Sequence, residues 1–92
     1  MSYARITPDI RTGTETFENI ASGSYGDVAV TFSPAMTAVP KVVAIRTGAG
    51  SVGYDMQLAT LGLSKNGFTL RCWNRGTSAT PIGPKVDWIA IA

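Results

Sequence analysis

The sequence contains no histidine and a single cysteine, Cys72, among its 92 residues. Without histidine, the Ser-His-Asp and Cys-His arrangements of nucleophilic enzymes are excluded, and the commonest general base is missing. One thiol without imidazole supports neither an internal disulfide nor a cysteine-based zinc site. We therefore expect no cofactor, no bound metal and no enzymatic activity, a carboxylate pair for glycoside hydrolysis being the one enzymatic alternative. Cys72 is interpreted as an inert core thiol.

Charge is also scarce. Charged residues make up 15% of the chain and the net charge is +2, whereas an average soluble domain is roughly 25% charged. The basic residues are scattered, so no basic stripe indicates nucleic-acid binding. No apolar run approaches the ~20 residues of a membrane span, and no apolar segment near Met1 predicts a secretory signal. Because 45% of the residues are hydrophobic, we expect one folded domain. From the charge pattern and the short apolar runs, we expect this domain to bind neither nucleic acid nor membrane.

Frequent glycine, proline, serine and threonine separate short apolar runs, which predicts an all-β fold. Six short antiparallel strands indicate a small six-stranded β-sandwich. The predicted strands cover residues 14–20, 27–32, 41–47, 54–63, 68–74 and 85–92. Residues 1–13 are expected to form an N-terminal arm or lead-in, and residues 14–92 the sandwich domain.

Alternation of apolar and polar residues predicts which side chains face the core. In the second and fifth strands these are Val28, Val30, Phe32, Phe68, Leu70 and Cys72. In the proline-bounded connection 33–40, Met36 and Val39 are expected to close the edge of the core. The dipeptide Asn66-Gly67 predicts a tight hairpin turn.

Two strands are apolar on both faces. In the third strand residues 42–45 are all apolar. In the last strand Val86 and Trp88 lie on one face, and Ile89 and Ile91 on the other. Since a two-layer sandwich buries one face of each sheet, this pattern predicts self-association through sheet faces. The alternative is that a bulge or frayed end shifts the alternation.

Several segments resemble H-type lectin domains. Residues 28–36 (VAVTFSPAM), followed by 39–43 (VPKVV), are similar to the V-x-V-T-F core of that family. So are residues 66–73 (NGFTLRCW) and the tryptophan-containing final strand, 86–92 (VDWIAIA). The same architecture is common in bacteriophage tail fibre, tail tip and baseplate proteins. The resemblance extends over residues 14–92.

The resemblance implies an H-type lectin-like sandwich assembled as a homotrimer in the virion tail. Such a receptor-binding protein would recognise a host cell-surface glycan and contact other virion tail proteins. The alternative location is extracellular, which would suit a secreted lectin. The alternative function is a purely structural trimeric knob, cap or decoration of the virion without its own ligand.

The family's sugar site has an acidic residue before the second strand, an arginine in the fourth strand, and an aromatic residue and a histidine after the cysteine position. This chain has Asp55 or Gln57 where the arginine lies, and no histidine. The candidate ligand-binding residues are Ser22, Ser24, Tyr25, Asp27, Asp55, Arg71, Trp73, Asn74 and Arg75. They are expected in the loops 22–27, 48–53 and 74–84 at the sandwich ends, or beside them.

The aromatic candidates each have a second interpretation. Trp73, flanked by Arg71 and Arg75, is either a sugar-stacking platform or an anchor at a subunit interface. Tyr25 is either a binding-loop aromatic or a side chain that packs against its own strand. Trp88 is expected in the core.

Overall fold

The computed structural model describes residues 8–47, 56–76 and 83–92, which form six strands and no helix. The strands make two three-stranded antiparallel sheets, ordered β1-β6-β3 and β2-β5-β4. Among the described residues, no helix is long and apolar enough to cross a membrane. The strands are β1 (Ile10–Thr16), β2 (Tyr25–Thr31), β3 (Lys41–Thr47), β4 (Met56–Ser64), β5 (Gly67–Asn74) and β6 (Lys85–Ile91).

The core lies between the two sheets. The sheet β1-β6-β3 contributes the buried side chains of Val86, Trp88 and Ala90 from its central strand. The facing strand β5 contributes Phe68, Leu70 and Cys72, and the rings of Phe68 and Trp88 meet edge to face at 5.5 Å between centroids. Val28, Val30 and Phe32 join the same cluster. The all-β fold, the predicted inward residues and the core position of Trp88 are thus confirmed.

The first strand lies earlier than the sequence predicted. β1 covers Ile10–Thr16 rather than 14–20, so part of the expected arm belongs to the sheet. Phe17 and Ile20, which an alternating strand would place on opposite faces, are both buried at 4% exposure. The backbone leaves the sheet at Phe17, whose N–H donates to the carbonyl of Pro84 at 2.8 Å. These two side chains instead cover one end of the core.

The connection between β2 and β3 confirms one expectation and corrects another. Met36 is buried at 3% exposure, as predicted for a residue that closes the core edge. Val39 is 58% exposed, so its expected core position is wrong. Pro40 is buried next to it and occupies the interior at the start of β3. The backbone N–H of Met36 donates to the carbonyl of Lys65, which holds this connection against the β4–β5 turn.

The β4–β5 hairpin forms where the Asn66-Gly67 dipeptide predicted it. Ser64 pairs with Gly67 across the turn, and a register irregularity lies between Leu61 and Ser64. Gly67 has φ +156°, and a Cβ there would lie 2.1 Å from the carbonyl oxygen of Val30. The glycine therefore allows the neighbouring strand β2 to approach the turn closely.

The outer face of the sheet β1-β6-β3 carries exposed aliphatic side chains. Val43 is 61% exposed and Ile45 58% exposed. β3 and β6 pair in one continuous register from Lys41 to Thr47, so no bulge shifts the alternation there. We call this surface the apolar face, and its members are Ile10, Val43, Ile45, Ile89 and Ile91.

Candidate functional site

A group of aromatic, charged and amide side chains lies on the outer face of the other sheet. The antiparallel register places Tyr25 of β2 opposite Trp73 of β5, and Trp73 opposite Gln57 of β4. In the next row of the same face, Asp27 lies opposite Arg71. Side chains two residues apart on a strand share a face, so these rows form one surface. We call it the aromatic–arginine cluster, and its members are Tyr25, Asp27, Gln57, Arg71, Trp73 and Arg75.

Arg71 joins the charged and aromatic parts of the cluster. Its Nε and Nη2 atoms donate to the two carboxylate oxygens of Asp27 at 2.8 and 2.9 Å. The guanidinium lies 4.0 Å from the ring centroid of Tyr25 and 5.4 Å from that of Trp73. The hydrogen bonds from Arg71 hold the pKa of Asp27 below its ordinary value, and the same bonds raise the pKa of Arg71. The ion pair therefore persists throughout the neutral and mildly acidic range.

The two rings of the cluster meet edge to face. Their centroids are 5.7 Å apart with an interplanar angle of 61°. Tyr25 is 52% exposed, whereas Trp73 is half-buried. Arg71 lies over one face of the Tyr25 ring, and about half of the Tyr25 residue stays exposed to solvent.

The β4 side of the cluster is formed by Arg75 and Gln57. Nε of Arg75 donates to Oε1 of Gln57 at 3.1 Å, and its guanidinium lies 5.3 Å from the Trp73 ring centroid. Within the described part of the chain, the terminal nitrogens of Arg75 have no acceptor and the Gln57 amide nitrogen has none. These groups are free to donate to a ligand.

Asn74 is fully buried, so it supports the cluster instead of lining it. Its Nδ2 donates to the carbonyl of Ile20 at 3.0 Å, and its Oδ1 accepts from the N–H of Gly76 at 2.9 Å. Its backbone carbonyl accepts from Gly23, and its backbone N–H donates to Ser24. These bonds hold the segment before β2 beside the end of β5, and thereby place Tyr25 next to Trp73.

The remaining candidates lie beside the cluster or outside the described residues. Ser22 is exposed, and its hydroxyl donates to the carbonyl of Gly76 at 2.5 Å. Ser24 is exposed at the end of the turn that leads into β2, and its N–H donates to the carbonyl of Ala21. The expected meeting of the loops at 22–27 and 74–84 is thus seen at residues 22–24 and 74–76. Asp55, the loop 48–53 and residues 77–82 lie outside the described residues.

A polar cleft adjoins the cluster on its β2 side. It is lined by residues 16–21 and 25–28, so Tyr25 and Asp27 belong to both the cleft and the cluster. Glu18 and Asn19 are exposed there. Glu18 has no cationic partner among the described residues. The cleft therefore carries negative charge at the end of the site opposite to Arg75.

From the sequence, the candidate binding residues were expected in the loops at the sandwich ends or beside them. The aromatic–arginine cluster instead lies mainly on the outer face of a sheet. Gln57 was identified only as an alternative to Asp55 at one family position, yet it lies directly across from Trp73. The available signal was its two-residue alternation on β4, which places it with the outward side chains once the register is known.

Cys72 and the acidic residues form no second site in the described ranges. Cys72 is fully buried, and burial raises the pKa of its thiol. Asp87 lies on the other sheet, where it accepts a hydrogen bond from Thr14 at 2.6 Å. No group of three or more His, Cys, Asp or Glu residues is placed to hold a metal ion in the part of the chain that the structure describes.

No protein-family model and no curated protein matches the chain. The all-β arrangement of two three-stranded sheets is shown by the structure. The likeness to H-type lectin domains stays a prediction that depends on the quoted sequence segments.

Proposed function

We propose that this protein is a carbohydrate-binding module whose site is the aromatic–arginine cluster. The observation that carries the proposal is the half-exposed ring of Tyr25, fixed beside the bidentate Arg71–Asp27 pair on one sheet face. An aromatic ring packs against the apolar face of a pyranose, while fixed polar groups bind its hydroxyls. The surface combines both features.

Each polar side chain has a defined task in this proposal. Asp27 is 37% exposed, and its carboxylate oxygens keep lone pairs for hydroxyl donors after they accept from Arg71. The amide nitrogen of Gln57 and the terminal nitrogens of Arg75 donate to hydroxyl oxygens. Because Arg71 is held by Asp27 and by both rings, the site is organised before a sugar arrives, which lowers the entropy cost of binding.

The polar cleft extends the surface beyond one sugar unit. Tyr25 lies at the junction between the cluster and the cleft, so a saccharide stacked on its ring has a neighbouring position beside Glu18 and Asn19. We therefore propose an oligosaccharide, rather than a monosaccharide, as the ligand.

A glycan-array screen with the wild-type protein and two variants tests the proposal. We expect reproducible binding by the wild type, and a loss of at least tenfold for Tyr25→Ala because the stacking surface is removed. Tyr25→Phe keeps the ring over Arg71 and is expected to retain most of the binding. Circular dichroism and native mass identify variants that have lost the fold.

Absence of binding by a folded wild-type protein across the array would contradict the proposal. Equal binding by Tyr25→Ala and the wild type would place any sugar site elsewhere on the molecule.

The proposed assembly is a homotrimer, in which each subunit is covered at the apolar face. Ile10, Val43, Ile45 and Ile91 are each at least 45% exposed in the single chain, and such contiguous apolar surface marks an interface. The aromatic–arginine cluster lies on the opposite sheet and stays accessible in such an assembly. Three weak sites on one particle then act together through avidity.

The proposed setting is the tail of a bacteriophage virion, where the module contacts other tail proteins and adheres to a host surface glycan. The resemblance to H-type lectin domains supports this setting, and the segments that carry it are residues 28–36, 39–43, 66–73 and 86–92.

A purely structural knob, cap or decoration of the virion is the second candidate function. It is favoured by the half-burial of Trp73 between Arg71 and Arg75, an arrangement also common at subunit interfaces. In that case Trp73→Ala would change the native mass, whereas a glycan site predicts lost binding with an unchanged mass.

A further inference from the structure

The charges around the aromatic–arginine cluster are unequal at its two ends. Asp27 and Arg71 neutralise each other in the middle. Arg75, at the β4 side, donates only to the neutral amide of Gln57, and no carboxylate pairs with it in the described residues. Glu18, at the β2 side, lies in the polar cleft. The site therefore has a positive end near β4 and a negative end in the polar cleft on the β2 side.

We infer that the ligand is an acidic oligosaccharide that binds with its anionic group on Arg75 and its neutral units over Tyr25 and the polar cleft. This inference rests on the carbohydrate-binding function proposed above. It adds the chemical class of the ligand and the direction in which it lies.

Arg75 is suited to hold an anion. Its Nε bond to Gln57 and its position over the Trp73 ring fix the guanidinium plane. The terminal nitrogens then present parallel donors, the geometry that matches a carboxylate or a phosphate. A hydrogen bond to a charged partner is worth more than one to a neutral hydroxyl, so the anion selects among glycans.

The negative charge in the polar cleft determines in which direction the oligosaccharide lies on the site. Glu18 repels an anionic group placed in the polar cleft, whereas its carboxylate accepts hydroxyl donors of a neutral sugar. An anionic group on the Tyr25 ring would meet the neutralised Arg71–Asp27 pair, which offers it no net positive charge. Only the end of the site near Arg75 is favourable for the acid.

The test compares a uronic-acid-containing oligosaccharide with its carboxyl-reduced, neutral counterpart, and with a phosphorylated one of the same backbone. We expect the wild type to bind the uronate form about tenfold more tightly than the neutral form. Arg75→Gln should remove this difference, so that the acidic and neutral forms are bound with similar affinity. Arg75→Lys should keep part of it, since the charge remains but the planar fork is lost.

The matched control is Lys65→Gln, which removes the same charge at the exposed β4–β5 turn, at the opposite end of β5. Its preference for the acidic ligand should equal that of the wild type. The phosphorylated ligand shows which anionic group the site prefers. If it binds more tightly than the uronate, the site is assigned to phosphorylated sugars. If it binds more weakly than the uronate, the site is assigned to carboxylated sugars. Either result supports an anionic glycan.

Two outcomes overturn the inference. If the wild type binds acidic and neutral forms equally, the ligand class is wrong while carbohydrate binding stands. If neither form nor any array glycan is bound by the folded protein, both this inference and the proposed function fail.

Discussion

Arg71 is the residue on which the geometry of the cluster depends. It is bound by Asp27 through two hydrogen bonds and lies over Tyr25 at 4.0 Å. The contacts of an exposed guanidinium with a carboxylate and with an aromatic face are each weak when taken alone. Their combination restricts the Arg71 side chain to one position, which gives the surface a defined shape for a ligand.

At the scale of single residues, we predict how the thermal stability of the protein changes in acid. The pKa values of Asp27 and Asp9 are lowered, chiefly by hydrogen bonds from Arg71 and Arg11. A carboxyl group with a lowered folded-state pKa contributes stability above its unfolded value of about 3.9, and this contribution disappears as the pH falls further. The Tm of the wild type should therefore be little affected by these groups from pH 7 to about 5, and should decrease below about pH 4.

The matched measurement compares Tm against pH for the wild type, Asp27→Asn and Asp9→Asn. The difference between each variant and the wild type should be largest at neutral pH and shrink in acid, because the wild-type carboxylates become protonated there. Since both carboxylates form ion pairs at the protein surface, the neutral-pH difference should be small. A difference that grows as the pH falls would contradict the assigned direction.

The β4–β5 hairpin determines where the cluster lies on its sheet. The register from Ser64↔Gly67 to Gln57↔Trp73 is set by the turn and by one irregularity near Gly62. A one-residue slip would turn Gln57 to the other face of the sheet. The close approach of β2 at Gly67 is therefore part of the same geometry as the site at the far end of β5.

Glycine substitutions distinguish two constraints in this hairpin, the positive φ of the backbone and the close approach of strand β2. At Gly62, φ is +63° and nothing lies within 4 Å of an added Cβ, so Gly62→Ala should cost about 1–2 kcal/mol of unfolding free energy from backbone strain alone. At Gly67, an added Cβ would also meet the Val30 carbonyl at 2.1 Å. Gly67→Ala should therefore destabilise the protein more than Gly62→Ala does.

Chemical denaturation measures both values. If Gly67→Ala cost no more than Gly62→Ala, the close β2–turn approach would not be a constraint on the fold.

The whole molecule has two sheets with unlike outer faces. One is the apolar face, and the other carries the aromatic–arginine cluster. Because they point in opposite directions, assembly through the first leaves the second in solvent. A trimer therefore suits a multivalent binding role without any change to the individual site.

At the scale of the whole molecule, we predict that a charge on the apolar face disrupts the assembly. Light scattering of the wild type should give a mass near three times 9.7 kDa. Val43→Lys should reduce it to the monomer, because a charge would be buried without a partner in the interface. Val39→Lys is the matched control, since Val39 is equally exposed but lies outside the strands of this face.

A wild-type monomer, or equal masses for the two lysine variants, would remove the apolar face as the assembly surface. Affinity for a monovalent sugar should be the same in Val43→Lys and the wild type, since the site is on the other sheet.

Much of the architecture could be predicted from the sequence because strand alternation is a local property. Residues 41–47 form a strand with the predicted bounds, and the inward positions of Val28, Phe68 and Leu70 are confirmed. β1 was placed wrongly because its sequence, IRTGTET, has no apolar alternation. Its position is decided by hydrogen bonding to the open edge of β6.

For the site, the sequence by itself determined the chemistry that is available: two neighbouring arginines around Trp73, an aromatic Tyr25 among small residues, and no histidine. Only the tertiary structure decided which groups meet. Tyr25 and Trp73 are far apart in the chain and become partners through the β2–β5 register. Asn74 looks like any polar loop residue, and its burial follows from the segments that fold over it. Pairing between distant strands depends on the packing of both sheets at once, which a local pattern does not encode.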